Sequence, residues 1–412
     1  MPPSDSKSTW APLASPTFRW FWIASVVSNL GTWVHEVGAG WLMTNLDPSP
    51  EMVSAVRVAM TVPMLLMAIP AGLIVDAVDR RKLLIVTQLF LLMSATTLAT
   101  LTYTGKITSW SLLFLTFLTG IAMVMHILTW QSTIPELIPR HQLSRAVALG
   151  SISFNLARSV GPALGGFLIA IAGVWIAFAV NACSFAAVLF VLVRWQREPR
   201  PTTSGQPIRQ SAWDGLTFVW QSKSMRHTLI RLGLFMVPAA ALWSLLPLVA
   251  RQRLLWDERG FGFLVTTVGI GAVIAVWFLH WIHRRIGFNR TIIFSGALFA
   301  MALGLLGMTT NGILASLLTL VIGGSWMTTL TTFNSEIQMT LPNEMRGRGM
   351  SCYYAVMAGS MATGSLLWGQ VGGAIDVGPA LVASGVTLTA TGLIGIAFPL
   401  DERPEDHEMS SG

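Results

Sequence analysis

Charge is scarce in this sequence. Of its 412 residues only 11% are Asp, Glu, Lys or Arg, while 53% are hydrophobic and the mean hydropathy is +0.62. A soluble domain carries about 25% charged residues. A soluble chain this apolar could not cover its surface with polar groups. A soluble enzyme, a disordered chain and a fibrous repeat are thereby excluded. Cysteine is scarcer still. Cys183 and Cys352 are the two present, both inside apolar runs, which leaves no disulfide framework and no cysteine metal site. Both read as buried small hydrophobes. The four lysines, Lys7, Lys82, Lys106 and Lys223, lie outside the apolar runs, which excludes a retinal Schiff-base pump. None stands in a Gly-Lys-Ser/Thr context, so there is no phosphate-binding loop and no built-in ATPase. His35-Glu36 begins like a zinc-protease helix, but Ala39 stands where the second histidine belongs. No Gly-x-Ser-x-Gly nucleophile elbow occurs. No cofactor and no metal are expected, and the chain is not expected to be an enzyme.

What is present is a series of continuous apolar runs of about 20 residues, the length that crosses a bilayer as a helix. They lie near 18–43, 52–75, 83–103, 109–131, 146–171, 174–194, 229–250, 261–282, 291–309, 312–335, 350–374 and 379–399. Continuous runs argue against a β-barrel, whose strands alternate over about ten residues. The fold class expected is an all-α membrane protein with twelve transmembrane helices. Orientation follows from the basic residues. Of the 26 Lys and Arg residues, 20 fall on the side of both termini, four on the other side, and Arg57 and Arg158 within spans. Cytoplasmic loops carry such an excess, so both termini are expected in the cytoplasm and the number of spans must be even. The same scatter of short basic clusters argues against nucleic acid as the partner of a chain with net charge +7.

One polar connection is long. Residues 196–226 read as a cytoplasmic linker with an amphipathic helix in which Ala212, Trp213, Leu216, Phe218, Val219 and Trp220 form an apolar stripe. It separates an N-terminal six-helix bundle, 18–195, from a C-terminal one, 227–400. Residues 1–17 form a polar cytoplasmic tail, and 401–412 an acidic one. The halves repeat at an offset of 203 residues. Arg80-Arg81-Lys82 falls on His283-Arg284-Arg285, Pro139 on Pro342, Arg145 on Arg348, Gly161 on Gly364 and Gly166 on Gly369. Parallel repeats about an axis normal to the membrane are a transporter architecture, with the substrate path between the halves.

Several motifs carry a resemblance. The loop after the second run reads Gly72-Leu-Ile-Val-Asp76-Ala-Val-Asp79-Arg80-Arg81-Lys82. It resembles the signature loop of the major facilitator superfamily, with Ala77 in place of the usual arginine and Asp79 in place of the usual glycine. Positive-inside topology explains the basic residues but not Asp76 beside Gly72; a cytoplasmic gate explains both. Gly72, Asp76, Arg80, Arg81 and Glu136, with Arg284 and Glu336 in the second half, are the gate candidates. The fifth run holds Gly161-Pro162-Ala-Leu-Gly165-Gly166, similar to the Gly-Pro-x-x-Gly-Gly motif of superfamily exporters. Small residues there let helices approach closely and the proline bends its helix. Close packing alone would suit an importer equally; the resemblance implies export. With Gly31-Thr-Trp33, Gly40-Trp41-Leu42, Ile134-Pro-Glu136-Leu-Ile-Pro139 and Phe154-Asn155-Leu-Ala-Arg158, the chain resembles the branch grouped with the enterobactin exporter and called transmembrane secretion effectors. That resemblance implies two six-helix bundles related by pseudo-twofold symmetry, in a bacterial inner membrane.

Ionisable groups inside spans are costly and usually functional. The candidates are His35, Glu36, Arg57, His126 and Arg158, all in the first half. The first two runs turn near Asp47–Pro48, and reflection about that turn puts Glu36 within a helical turn of Arg57. Such a pair either fixes packing or supplies a protonatable carboxylate to a cavity wall. Asn29, Trp33, Asn155, Met236, Trp243 and Trp326 are the expected substrate-cavity residues, the second half giving mainly apolar contact. The expected activity is proton-coupled efflux of a small hydrophobic or amphipathic molecule, a drug or siderophore, by a monomer using alternating access. The alternatives are an importer or uniporter of the same fold, or a receptor or scaffold that does not transport.

Overall fold

The computed structural model describes residues 10–195, 217, 221–341 and 346–398. Both expected tails and most of the 196–226 linker lie outside the described residues, as do the side chains of Asp76, Asn155 and Arg346. Among the described residues every long element is a helix: α1 Pro16–Leu46, α2 Pro50–Ala77, α3 Arg80–Tyr103, α4 Ser109–Leu137, α5 Leu143–Ala172, α6 Trp175–Arg194 and α7 Lys223–Leu248. Glu258–Met308 follows as 51 helical residues broken at Gly287, whose φ of 72° only a residue without Cβ adopts freely. We call the arms before and after Gly287 α8 and α9. Then come α10 Gly312–Thr340, α11 Arg346–Ile375 and α12 Val377–Ile396. Each apolar run of the sequence corresponds to one of these segments. Nine of the described helices, with Glu258–Met308 taken as one, are long and apolar enough to cross a membrane. A helix satisfies its own backbone, which is why this chain can be both apolar and folded in lipid.

Polar residues sit where helices begin. Asp79 accepts from the backbone N–H of Lys82 and caps α3. Thr108 and Ser111 form a reciprocal capping box at α4, Asp257 caps α8, and Asn311 caps α10. Each satisfies donors that the first helical turn leaves open. The turn between α1 and α2 is Asp47–Ser49, where Asp47 Oδ1 accepts from the Ser49 N–H at 3.0 Å.

Packing divides the chain into two units. The first is Met1–Leu42 with Leu66–Gly205, the second Met43–Leu65 with Gln206–Gly412. By packing, therefore, the end of α1, its turn and the first part of α2 go with the second unit. Inside the first unit, Phe21, Leu84, Val188, Leu192 and Trp195 join α1, α3 and α6. Leu91, Ala95, Ala122 and Phe185 join α3, α4 and α6. Inside the second, Trp368 Nε1 donates to the Val237 carbonyl at 3.0 Å and Ser384 Oγ to the Pro238 carbonyl at 2.7 Å, tying α11 and α12 to the proline-bearing stretch of α7. Interhelical hydroxyl pairs recur in both units: Ser94–Thr119 at 2.6 Å between α3 and α4, and Ser295–Thr329 at 2.7 Å between α9 and α10. Large apolar side chains such as Phe114, Phe167 and Phe190 point outward, the surface of a protein solvated by lipid. Cys183 belongs to that surface. It is exposed on α6 and Cys352 is half-buried, so neither is the buried hydrophobe expected from the sequence. An apolar run does not say which of its faces meets lipid.

Candidate functional site

The first unit carries the expected exporter motif on α5. A Cβ added to Gly161 would lie 2.5 Å from Trp33 Cβ, and one added to Gly165 would lie 3.1 Å from Val34 Cα. The motif therefore seats α5 directly on the backbone of α1, with Pro162 and Gly166 buried beside it. The same interface aligns other expected cavity residues. Asn29 Nδ2 donates to Ser153 Oγ at 3.0 Å, and the Trp33 and Phe154 rings meet edge-on at 6.4 Å. Arg158, one helical turn beyond Phe154, is half-buried.

The two span histidines have different surroundings. His35 is buried between α1 and α6, its Nδ1 3.3 Å from Asn181 Nδ2 and its ring edge-on to Phe178 at 4.9 Å. That environment is a packed, hydrogen-bonded one. His126 is buried on α4 with Nδ1 lacking a hydrogen-bond partner among the described residues. Its ring lies 5.6 Å from Trp130, which stacks on Phe21 at 5.1 Å. Glu36 follows His35 and is half-buried. Glu36 and Arg57 fall in different units.

At the α2–α3 end of this unit the basic cluster is held in place. Arg80 Nη1 lies 2.8 Å from Glu136 Oε1 on α4 and also donates to the Ser132 carbonyl at 3.0 Å. Arg81 donates from Nε and Nη2 to the carbonyls of Leu192 and Val193, at 3.2 and 2.8 Å. These are the open carbonyls at the end of α6, where the helix dipole favours a cation. Gly72 lies in α2, whose last two residues are Asp76 and Ala77.

In the second unit three expected residues meet. The Arg57 guanidinium lies over the Trp243 ring, 5.8 Å from its centroid. Trp243 meets Trp326 at 5.8 Å, and Trp326 continues into Phe235 at 5.9 Å and Phe299 at 6.0 Å. The Trp243 indole N–H is buried and lacks an acceptor among the described residues. Met236 is buried on α7 beside this cluster. The result is a cation on an aromatic wall, built from α2, α7, α9 and α10. Trp326, Phe235 and Phe299 are buried, and Arg57 and Trp243 half-buried, so the Arg57–Trp243 edge is the part of the cluster that a ligand could reach, by stacking on the indole and by the guanidinium.

A family profile described as "Transmembrane secretion effector" matches residues 7–412. The chain belongs to the transmembrane secretion effector family. Among curated relatives of this family member, the staphyloferrin A transporter of Staphylococcus aureus is 25% identical over 85% of this chain and 88% of its own length. The multidrug efflux pump Tap of Mycolicibacterium fortuitum is 22% identical over 91% and 94%. Among solved structures, the nucleoside transporter NupG superposes with a TM-score of 0.71 at 12% identity, covering 93% of this chain and 98% of that one. The D-xylose–proton symporter gives 0.70 at 14%, covering 92% and 98%. The fold is thus that of the major facilitator superfamily. This secretion-effector relative is a multi-pass membrane transporter of small molecules, not an enzyme.

Two features of this transporter escaped the sequence reading. The first is a charged interior in the second half, which was expected to hold few charges. Arg231 on α7 is 4% exposed and Glu336 on α10 is 2% exposed. Arg231 hydrogen-bonds to Asn289 Oδ1 just beyond the Gly287 break. Arg284, the other gate candidate of this half, is exposed on α8. Arg231 stands inside an apolar run, so its presence was legible; its partner Asn289, 58 residues away, was not. The second feature is the end of α7. A π-helical turn, Val249–Arg253, presents Arg251 to Asn45 Oδ1 at 2.5 Å and Gln252 to the Pro48 carbonyl at 3.1 Å. A Cβ added to Gly369 would collide with Ser54 Oγ, so α11 lies flush against α2. The α1–α2 turn is therefore clamped by two elements of the second unit. No local signal in the sequence marks these contacts, which join residues more than 200 positions apart.

Proposed function

We propose that the protein is a proton-coupled exporter of a small hydrophobic or amphipathic molecule, working by alternating access in a bacterial inner membrane with both termini cytoplasmic. The observation that carries this reading is the aromatic wall of Trp243, Trp326, Phe235 and Phe299 with Arg57 set over its edge. Such a wall suits a ligand that is largely apolar and bears a hydrogen-bonding group. The names of the relatives, a siderophore transporter and a multidrug efflux pump, fit a ligand of that kind. Export is supported by the likeness of the Gly161–Gly166 stretch to the motif of superfamily exporters, while its close seat on α1 makes a stiff pair of helices that would serve either direction.

Coupling in this reading runs through Glu36. A carboxylate placed within a span is costly to leave charged, so taking up a proton changes which conformer is favoured. Arg80–Glu136 forms part of the cytoplasmic gate, and the Arg251–Asn45 clamp part of the opposite one. Purified protein in vesicles with an imposed pH gradient tests the proposal across a panel of lipophilic dyes and siderophores. Gradient-driven accumulation of any of them supports it. Equal distribution with and without the gradient, for every compound, overturns it in favour of a uniporter or a non-transporting protein.

A further inference from the structure

We infer that the α8–α9 turn carries a binding site for the headgroup of an anionic phospholipid. The observations are a concavity, a charge excess and a lipid-facing aromatic strip in one place. His280, Trp281, Arg284 and Arg285 line a shallow concavity of ≈ 370 Å³. On a helix, 280 and 284, 281 and 284, and 281 and 285 are neighbours, so the four side chains form one patch. All four are exposed. The Arg285 guanidinium lies over the Trp281 ring, 5.7 Å from its centroid, which holds it at the rim of the concavity.

The location fixes the kind of ligand. Gly287 breaks the helix between two membrane-length apolar runs, so residues 283–290 turn at the membrane surface. One helical turn toward the bilayer, Trp277 is 82% exposed and Phe278 56%, with Val273, Ile274 and Val276 exposed beyond them. Those side chains face acyl chains. The patch above them is therefore at headgroup depth, where tryptophan prefers to lie. A phosphodiester there meets two guanidinium groups, whose planar donors match phosphate oxygens in pairs. Its acyl chains lie along Trp277 and Phe278. Nothing nearby in sequence neutralises the charge: no Asp or Glu occurs between Glu258 and Glu336, while His280, His283, Arg284, Arg285 and Arg290 fall within that span. Glu336 itself is buried.

The test is native mass spectrometry of the full-length protein titrated with phosphatidylglycerol or phosphatidylcholine in detergent. The expected result is one tightly retained phosphatidylglycerol whose affinity falls at least about tenfold in Arg284→Gln/Arg285→Gln, with phosphatidylcholine binding weakly to both proteins. Arg194, which lies over Phe190 at the end of α6, serves as the control. Arg194→Gln is expected to keep the tight phosphatidylglycerol. Arg284→Lys/Arg285→Lys keeps the charge but loses the planar fork, and an intermediate affinity is expected. Unchanged affinity in the double glutamine variant overturns the inference. So does an equal loss in Arg194→Gln, which would mean diffuse attraction to any basic loop. Inorganic phosphate at millimolar concentration should not displace the lipid; displacement would assign the site to a free anion instead. These readouts measure lipid binding and stand whether or not the protein proves to be an exporter.

Discussion

Arg57 lies over the Trp243 ring at 5.8 Å, and Trp243 lies 5.8 Å from Trp326. The three residues come from α2, α7 and α10, so a cation and two indoles are brought together by the second unit alone. Cation–π contacts of this kind are worth about 0.5–2 kcal/mol. Trp243→Phe keeps a ring under the guanidinium, and Trp243→Ala removes it. Trp243→Ala is expected to raise the half-saturating substrate concentration by about tenfold, and Trp243→Phe by about threefold or less. Dose-response curves for efflux in vesicles check the order. Equal curves for Trp243→Ala and wild type would remove the wall from the binding site.

The buried Arg231 of the second unit hydrogen-bonds to Asn289 Oδ1. Leaving a buried charged donor without its acceptor costs about 1–3 kcal/mol or more. Asn289→Leu should therefore lower the melting temperature in detergent, whereas Asn289→Asp keeps an acceptor for Arg231 and should lower it less. Equal melting of Asn289→Leu and wild type would show that the bond adds nothing to stability.

The α1–α5 seat predicts a gradient along one helix. Gly161→Ala must displace Trp33, and Gly161→Leu has no room at all, because the added Cβ alone would lie 2.5 Å from Trp33 Cβ. Gly150, on the same helix, has nothing within 4 Å of its added Cβ. Gly150→Ala should be neutral or stabilise by about 0.5–1 kcal/mol, the helix preference of alanine over glycine. Transport and melting temperature should fall in the order Gly150→Ala, Gly161→Ala, Gly161→Leu.

The Arg80–Glu136 contact is partly exposed, with the two side chains 29% and 13% accessible. Exposed ion pairs contribute about 0.2–1 kcal/mol. Glu136→Gln should therefore change stability little. Arg80→Gln also loses its bond to the Ser132 carbonyl and should fall further. If the contact is a gate, both variants raise the transport rate or leak out of proportion to the stability change. A vesicle assay without a pH gradient reads the leak directly.

Proton coupling is tested at Glu36. Glu36→Gln should abolish accumulation driven by a pH gradient while substrate binding, measured by protection against thermal unfolding, persists. A Glu36→Gln protein that still concentrates substrate would move coupling to another ionisable residue. Glu336 on α10 would then be examined first, because it is the more deeply buried carboxylate.

The spans were legible in the sequence because a bilayer admits few backbones. An apolar stretch must be a helix and must be long, so each run of about 20 residues declares itself. The close seat of α5 on α1 was legible for a related reason, since Gly161 and Gly165 mark a place where nothing larger fits. Helix faces were not legible. A span that is apolar all round carries no amphipathic stripe to say which side turns inward. That is why Cys183 was expected inside and lies outside. Long-range partners were hidden for the same cause. Arg251 with Asn45, Arg57 with Trp243, and Arg231 with Asn289 each join segments far apart in the chain. No local periodicity encodes such meetings. Only the rotation of each helix about its own axis, set by packing against its neighbours, decides which charges share an interior.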